Sequence, residues 1–259
     1  MKKAAGILLL VLLVAAFALP GSADMNKYST VFMDTFDTVI SLIGYAENQE
    51  TFDARAAETH AMYLHLHKLF DTYNSYADEG ITSVCDVNRQ AAAEPVKDDP
   101  ILFGLLTFCK SNYELVNGQT NVAMGSVLSI WHEYRELGLA DPEHAAVPSA
   151  EELYRAGEHT DIDQMLLDPE KRTVYLTDPE MSLDVGAIAK GYIADRIKEY
   201  LKKEGVEHAL INLGGNVLCL GDKPEGTAFR IGVQKPFGEA TETLTICPIE
   251  DQSLVSSGT

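Results

Sequence analysis

The chain has 259 residues, with 39 acidic against 20 basic side chains and a formal charge of −19. A field of that sign repels phosphate backbones and excludes a nucleic-acid partner from the working hypotheses. An anionic small ligand would need local devices to hold it: backbone N–H groups, a placed lysine or a cation.

Lys2 and Lys3 precede an apolar run from Ile7 to Leu19, broken by Pro20 and Gly21. Gly21-Ser22-Ala23 puts small residues where a leader peptidase cuts. The run is shorter than the roughly 20 residues that span a bilayer. Residues 1–23 are therefore expected to be a cleaved signal peptide, with an uncleaved anchor as the alternative. The protein is expected to be extracytoplasmic, in a periplasm or on the outer face of the cell membrane. A single domain is expected from residue 24 onward.

Tyr28 to Tyr45 predicts two strands around Met33-Asp34-Thr35, and Thr51 to Tyr73 a helix with Ala57, Met62, Leu64, Leu66, Leu69 and Phe70 at helical spacing. His60 and His67 lie seven apart on that helix, and no carboxylate or third histidine completes a metal spacing; they are expected as surface or boundary residues. Tyr73 to Val96 reads as irregular. A second helix is expected over Asp99 to Val116, with Pro100 in its first turn and Gly118 past its end. Ser149 and Glu152 form the capping box of a third. Thr173–Thr177 and Ser182–Val185 read as short strands. Ala187 to Glu204 reads as a helix stopped by Gly205. The remainder reads as β: His208–Leu213, Val217–Leu220, Phe229–Val233, Thr243–Cys247 and Leu254–Ser256. Strands and helices without regular alternation give an α+β fold. Cys85, Cys109, Cys219 and Cys247 form no CxxC pair and are expected in core or half-buried positions.

Three segments hold residues suited to chemistry. In Asp184-Val-Gly-Ala-Ile-Ala-Lys-Gly-Tyr192 a strand end meets a helix start, with Lys190 one turn in. Such a junction aims N–H groups at an anion, although an ordinary strand-to-helix turn looks the same. Asn212-Leu-Gly-Gly-Asn216 lets a backbone approach closely, yet a hairpin turn is the better reading. Asn117 to Gly125, running toward Trp131, offers short polar groups beside an aromatic residue, as a capping loop also would.

Taken in order with Met33-Asp-Thr35, the Phe70-Asp-Thr-Tyr73 stretch leading to Asn88, and Ser256-Ser257-Gly258, these segments resemble the ApbE family of FAD:protein FMN transferases. The resemblance covers Ser29 to Thr259. It implies an α+β, T-fold-related architecture of mixed sheets with packed helices. It implies FAD contacts at Met33, Tyr73, Gln119, Thr120, Asn121, Asp184 and Lys190. It also implies an Mg²⁺ ligand at Ala187, through the backbone oxygen because the side chain has none. The implied reaction moves FMN from FAD to a Ser or Thr hydroxyl of an acceptor flavoprotein with an FMN-binding domain, close to the membrane, and releases AMP. An FAD pyrophosphatase and a non-catalytic flavin binder are the alternatives. The sequence departs from the pattern at Asp34, where the family usually has glycine. It also stops before the family's further His motif and its aspartate and threonine metal ligands, so a C-terminal part is expected to be missing.

Overall fold

In a computed structural model, the structure describes residues 25–36, 38–239 and 242–256. The expected signal peptide and Ser257-Gly258 lie outside them. No helix among the described residues is long and apolar enough to cross a membrane.

β1 (Asn26–Phe32) and β2 (Ile40–Ala46) form an antiparallel pair, and α1 (Gln49–Leu69) follows. Asn48 caps α1 by accepting from Thr51 N at 2.9 Å, supplying one of the acceptors the first turn lacks. After a loop come α2 (Val84–Gln90), β3 (Val96–Lys97) and α3 (Pro100–Asn112), the last with Asp99 as N-cap and Pro100 at its start. α4 (Gly125–Ala140) and α5 (Ala150–Gly157) lie on the surface, α5 opened by the Ser149–Glu152 capping box. β4 (Met165–Asp168) and β5 (Thr173–Leu176) precede α6 (Gly186–Lys203). β6 (Ala209–Leu213), β7 (Asn216–Leu220), β8 (Phe229–Gln234), β9 (Thr243–Ile249) and β10 (Ser253–Val255) complete the described chain.

The central sheet has the order β1-β2-β6-β7-β10 and is antiparallel throughout. Its register decides which side chains share a face. Ile40 is opposite Leu213 and Leu42 opposite Ile211, all fully or nearly buried. Period-two alternation then places this row against α1 and α6, with Leu66, Leu69, Ile193 and Ile197 on the other side of the seam. A second antiparallel sheet, β3-β5-β4, extends the same core through Met165, Val174 and Leu176 to Leu102, Leu105 and Leu106 of α3. The hairpin β8–β9 is a separate two-stranded sheet, and Phe229 packs with Val217 and Cys219 of β7 in a small second cluster.

The α+β architecture is as the sequence predicts, and so are the main helices and the β-rich end. Cys85, Cys109 and Cys219 are buried and Cys247 half-buried. Burial pushes the thiols of Cys109 and Cys219 up to about 11. Two predicted elements differ. Ser182–Val185 is extended but is no strand: Leu183 pairs with the Asn88 side chain and Asp184 N with the Val122 carbonyl, so no ladder forms. The segment predicted irregular contains α2, opened by a capping box in which Ser83 Oγ meets Asp86 N and Asp86 accepts from Ser83 N.

Candidate functional site

The last turn of α1 stops at Leu69, and residues 70–76 form a loop built around one carboxylate. Asp71 accepts from Tyr73 N at 2.7 Å, Asn74 N at 2.9 Å, Asn74 Nδ2 at 3.0 Å and the Tyr76 hydroxyl at 3.0 Å. Burial alone would raise its pKa, but the donors from Asn74, Tyr73 and Tyr76 outweigh it and hold it below the ordinary value. The loop is thereby fixed without secondary structure, and it presents Tyr73. That ring stacks on His132 of α4, 4.1 Å between centroids and 19° between planes. Burial, followed by the charges of Asp184 and Asp71, raises the Tyr73 phenol above its ordinary value.

Across from this loop is the start of α6. Asp184 Oδ1 accepts from Gly186 N at 2.8 Å, and the N–H groups of Ile188 and Ala189 turn back to the Val185 carbonyl. Fewer N–H groups are therefore free here than the junction suggested. Ala187 N is the one first-turn N–H without a hydrogen-bond partner among the described residues. The approach to Asp184 is held by Asn88, whose Nδ2 donates to Leu183 O at 2.9 Å while its Oδ1 accepts from Leu183 N at 2.7 Å. Asn88→Ala removes both bonds and leaves two backbone groups unpaired. The expected loss is about 2 kcal/mol of stability, checked by urea unfolding.

Loop and helix start enclose an open cleft of about 470 Å³, within which Tyr73, Asp184 and Lys190 converge with Phe36, His67, Asp71 and Asn74. That volume lies within the range of small-molecule and cofactor sites. The other predicted site residues are placed differently. Met33 is 75% exposed on the β1–β2 loop and does not line the cleft, although Phe36 of the same loop does. Gln119 and Thr120 are exposed. Asn121 spends its amide on the fold, accepting from Ala123 N at 2.9 Å and donating to Thr160 O at 2.8 Å. Its neighbour Val122 reaches Asp184 N at 2.8 Å, so this segment runs beside the cleft while those side chains stay out of it.

The glycine pair also has a fold reason. Gly214 and Gly215 take φ values of +57° and +91° in the β6–β7 turn, and a Cβ on Gly214 would lie 2.3 Å from Thr38 Oγ1. Ser256 N donates to Gly215 O at 3.1 Å. The close approach is thus between three strand ends, which gathers the β1–β2 loop, the β6–β7 turn and the end of β10 at one edge of the central sheet.

Phe36, His67, Asp71 and Asn74 were not singled out from sequence as site residues. Asp71 had a readable signal, since an aspartate in a polar stretch favours an Asx-turn to the backbone N–H two residues on, here that of Tyr73. His67 had none. Asp34 turns to α1 and meets His60 Nε2 at 2.9 Å, away from the cleft. A metal fits these residues poorly. Among those described, no three His, Cys, Asp or Glu side chains converge as a metal site. Ala187 offers a carbonyl already used by the helix ladder, with Asp184 as the nearest carboxylate in the chain.

The sequence model of the ApbE family matches residues 35–259. The chain belongs to the ApbE family. It is 36% identical over 178 residues to an FAD:protein FMN transferase of Klebsiella pneumoniae, covering 69% of this chain and 52% of that protein. A Treponema pallidum protein of the same name is 30% identical over 218 residues, covering 78% of this chain and 58% of its own length. This ApbE-family chain therefore spans a little over half the length of these curated relatives. Among solved structures, an ApbE protein of Thermotoga maritima superposes with a TM-score of 0.73 at 22% identity, covering 88% of this chain and 69% of that one. The flavin transferase ApbE of Vibrio cholerae gives 0.66 at 21%, covering 82% and 65%. At those identities the structural likeness is one of fold.

Proposed function

We propose that the chain is the flavin-handling part of an exported FAD:protein FMN transferase, working on the extracytoplasmic side of the cell membrane. The observation that carries this reading is the convergence of Tyr73 on one cleft with Asp184 and Lys190, a pair that lies far from it in sequence. The names of the two relatives at 36% and 30% identity support it.

In this reading the isoalloxazine ring takes the aromatic side of the cleft, beside Tyr73 and Phe36. The pyrophosphate faces Lys190 and the open Ala187 N–H, where a full and a partial positive charge act together. Asp184 has an oxygen free to accept from a ribose or ring N–H. The acceptor Oγ forms a bond to the FMN phosphorus as the bridging P–O bond breaks. AMP leaves with the bridging oxygen, and the hydroxyl proton passes to solvent. Mg²⁺ would supply counter-charge for pyrophosphate cleavage, but the described residues fit it poorly and no step is assigned to it. The described residues are assigned binding and orientation only. The acceptor is an exported flavoprotein with an FMN-binding domain.

Incubation with FAD, Mg²⁺ and such a domain should give a fluorescent protein band after denaturing electrophoresis, with one AMP per label. FMN and AMP without a labelled band would replace the transferase by a pyrophosphatase, and FAD binding without AMP would leave a flavin binder. Lys190→Ala is expected to weaken FAD binding about tenfold, measured by flavin fluorescence. High salt should weaken binding less in the variant than in the wild type, because the lost contact is electrostatic.

A further inference from the structure

The loop between β1 and β2 is held by α1 in a way that neither the strands nor the turn requires. Phe36 has φ +57°, a left-handed conformation that costs a bulky residue energy unless its surroundings impose it. Two turns apart on α1, and so roughly 10 Å apart along its axis, are His60 and His67. His67 Nδ1 accepts from Phe36 N at 3.3 Å, and the two rings meet edge to face at 5.1 Å. His60 Nε2 lies 2.9 Å from both carboxylate oxygens of Asp34, and its ring stacks on Phe32 at 4.4 Å and 5°. Between the two anchors Thr35 is buried with a hydroxyl that has no partner among the described residues. Phe36 and His67 then line the cleft together, whereas Asp34 and His60 do not.

We propose that His60 and His67 are positioning residues: they clamp Asp34 and Phe36 so that the β1–β2 loop forms a fixed wall of the cleft. The proposal rests on the flavin reading only for what the wall touches. His67 is the stronger anchor. The Asp34 and His60 side chains are 53% and 30% exposed, and a water-exposed ion pair contributes little. The His67 bond is half-buried and acts directly on the strained residue. Asp34 thus adds an anchor and leaves the cleft unobstructed.

The test compares His67→Leu, which removes the acceptor, with His67→Asn, whose Oδ1 can stand near the Nδ1 position. Two readouts apply to the whole chain: hydrogen exchange at the Phe36 amide without ligand, and the Kd for FAD. His67→Leu should speed Phe36 exchange and weaken FAD binding, each about three- to tenfold, and His67→Asn should restore most of both. His60→Leu should act in the same direction with a smaller effect. Wild-type exchange at Phe36 in His67→Leu, or equal losses in the leucine and asparagine variants, would overturn the clamp. A wild-type chain that does not bind FAD would count against the flavin reading, and Phe36 exchange alone would then decide the clamp.

Discussion

Gly125→Ala is expected to lower stability by about 3 kcal/mol and to weaken ligand binding in the cleft, although residue 125 does not line it. An added Cβ would lie 2.5 Å from Ser182 Oγ and 2.6 Å from Ser182 O. The hydroxyl can rotate away, but the carbonyl is backbone and accepts from Gly125 N at 3.0 Å. Relief therefore requires the Ser182–Asp184 segment to shift, and that segment carries Asp184 into the site. Overpacking of this kind costs about 1–3 kcal/mol before the broken bond is counted. Gly157→Ala is the control: nothing lies within 4 Å of its Cβ, so a neutral or slightly positive change is expected. Urea midpoints of both variants check the pair, and a Gly125→Ala midpoint matching the control would defeat the argument.

The second large effect is a pH dependence. Asp98 is 4% exposed; Oδ1 accepts from Asp99 N at 2.9 Å, and Oδ2 is buried with no partner among the described residues. Burial pushes its pKa up to about 7, helped by the charge of Asp99 and opposed by that one N–H. A pKa raised on folding means that the unfolded chain loses the proton first. The stability from the protonated form is complete below about pH 4, falls as pH rises, and is gone above about pH 7. Three pKa units correspond to about 4 kcal/mol as an upper bound. Asp98→Asn cannot ionise, so it should equal or slightly trail the wild type at pH 4 and exceed it by about 2 kcal/mol at pH 8. Parallel stability curves for the two proteins would show that the carboxyl does not titrate as described.

Local rules carried most of the fold. Ser149 with Glu152, Asp99 with Pro100, and Gly205 mark helix ends through contacts a few residues long, and the helices stand within a few positions of where those residues put them. Alternation located β2 and β6 because one face of each is buried. β4 was not legible: Met165-Leu-Leu-Asp168 is too short to show a period, and it is a strand because β5 lies beside it. Ser182–Val185 misled for the converse reason, since extended apolar residues formed no ladder. In the site, Tyr73, Asp184 and Lys190 could be named from motifs, but nothing in their spacing says that they face each other. His67 and Phe36 depend on α1 crossing the end of β1, a long-range contact that leaves no local trace.

The hairpin β8–β9 has a consequence of its own. Among the described residues its ladder runs only between its own two strands, Leu244 and Ile246 are exposed, and Phe229 is its single fully buried side chain on the second cluster. A unit tied down so lightly has its own opening equilibrium, with a free energy well below that of the core on α1 and α6. The molecule is thus expected to have two levels of stability, with limited proteolysis cutting this hairpin first while the cleft stays folded.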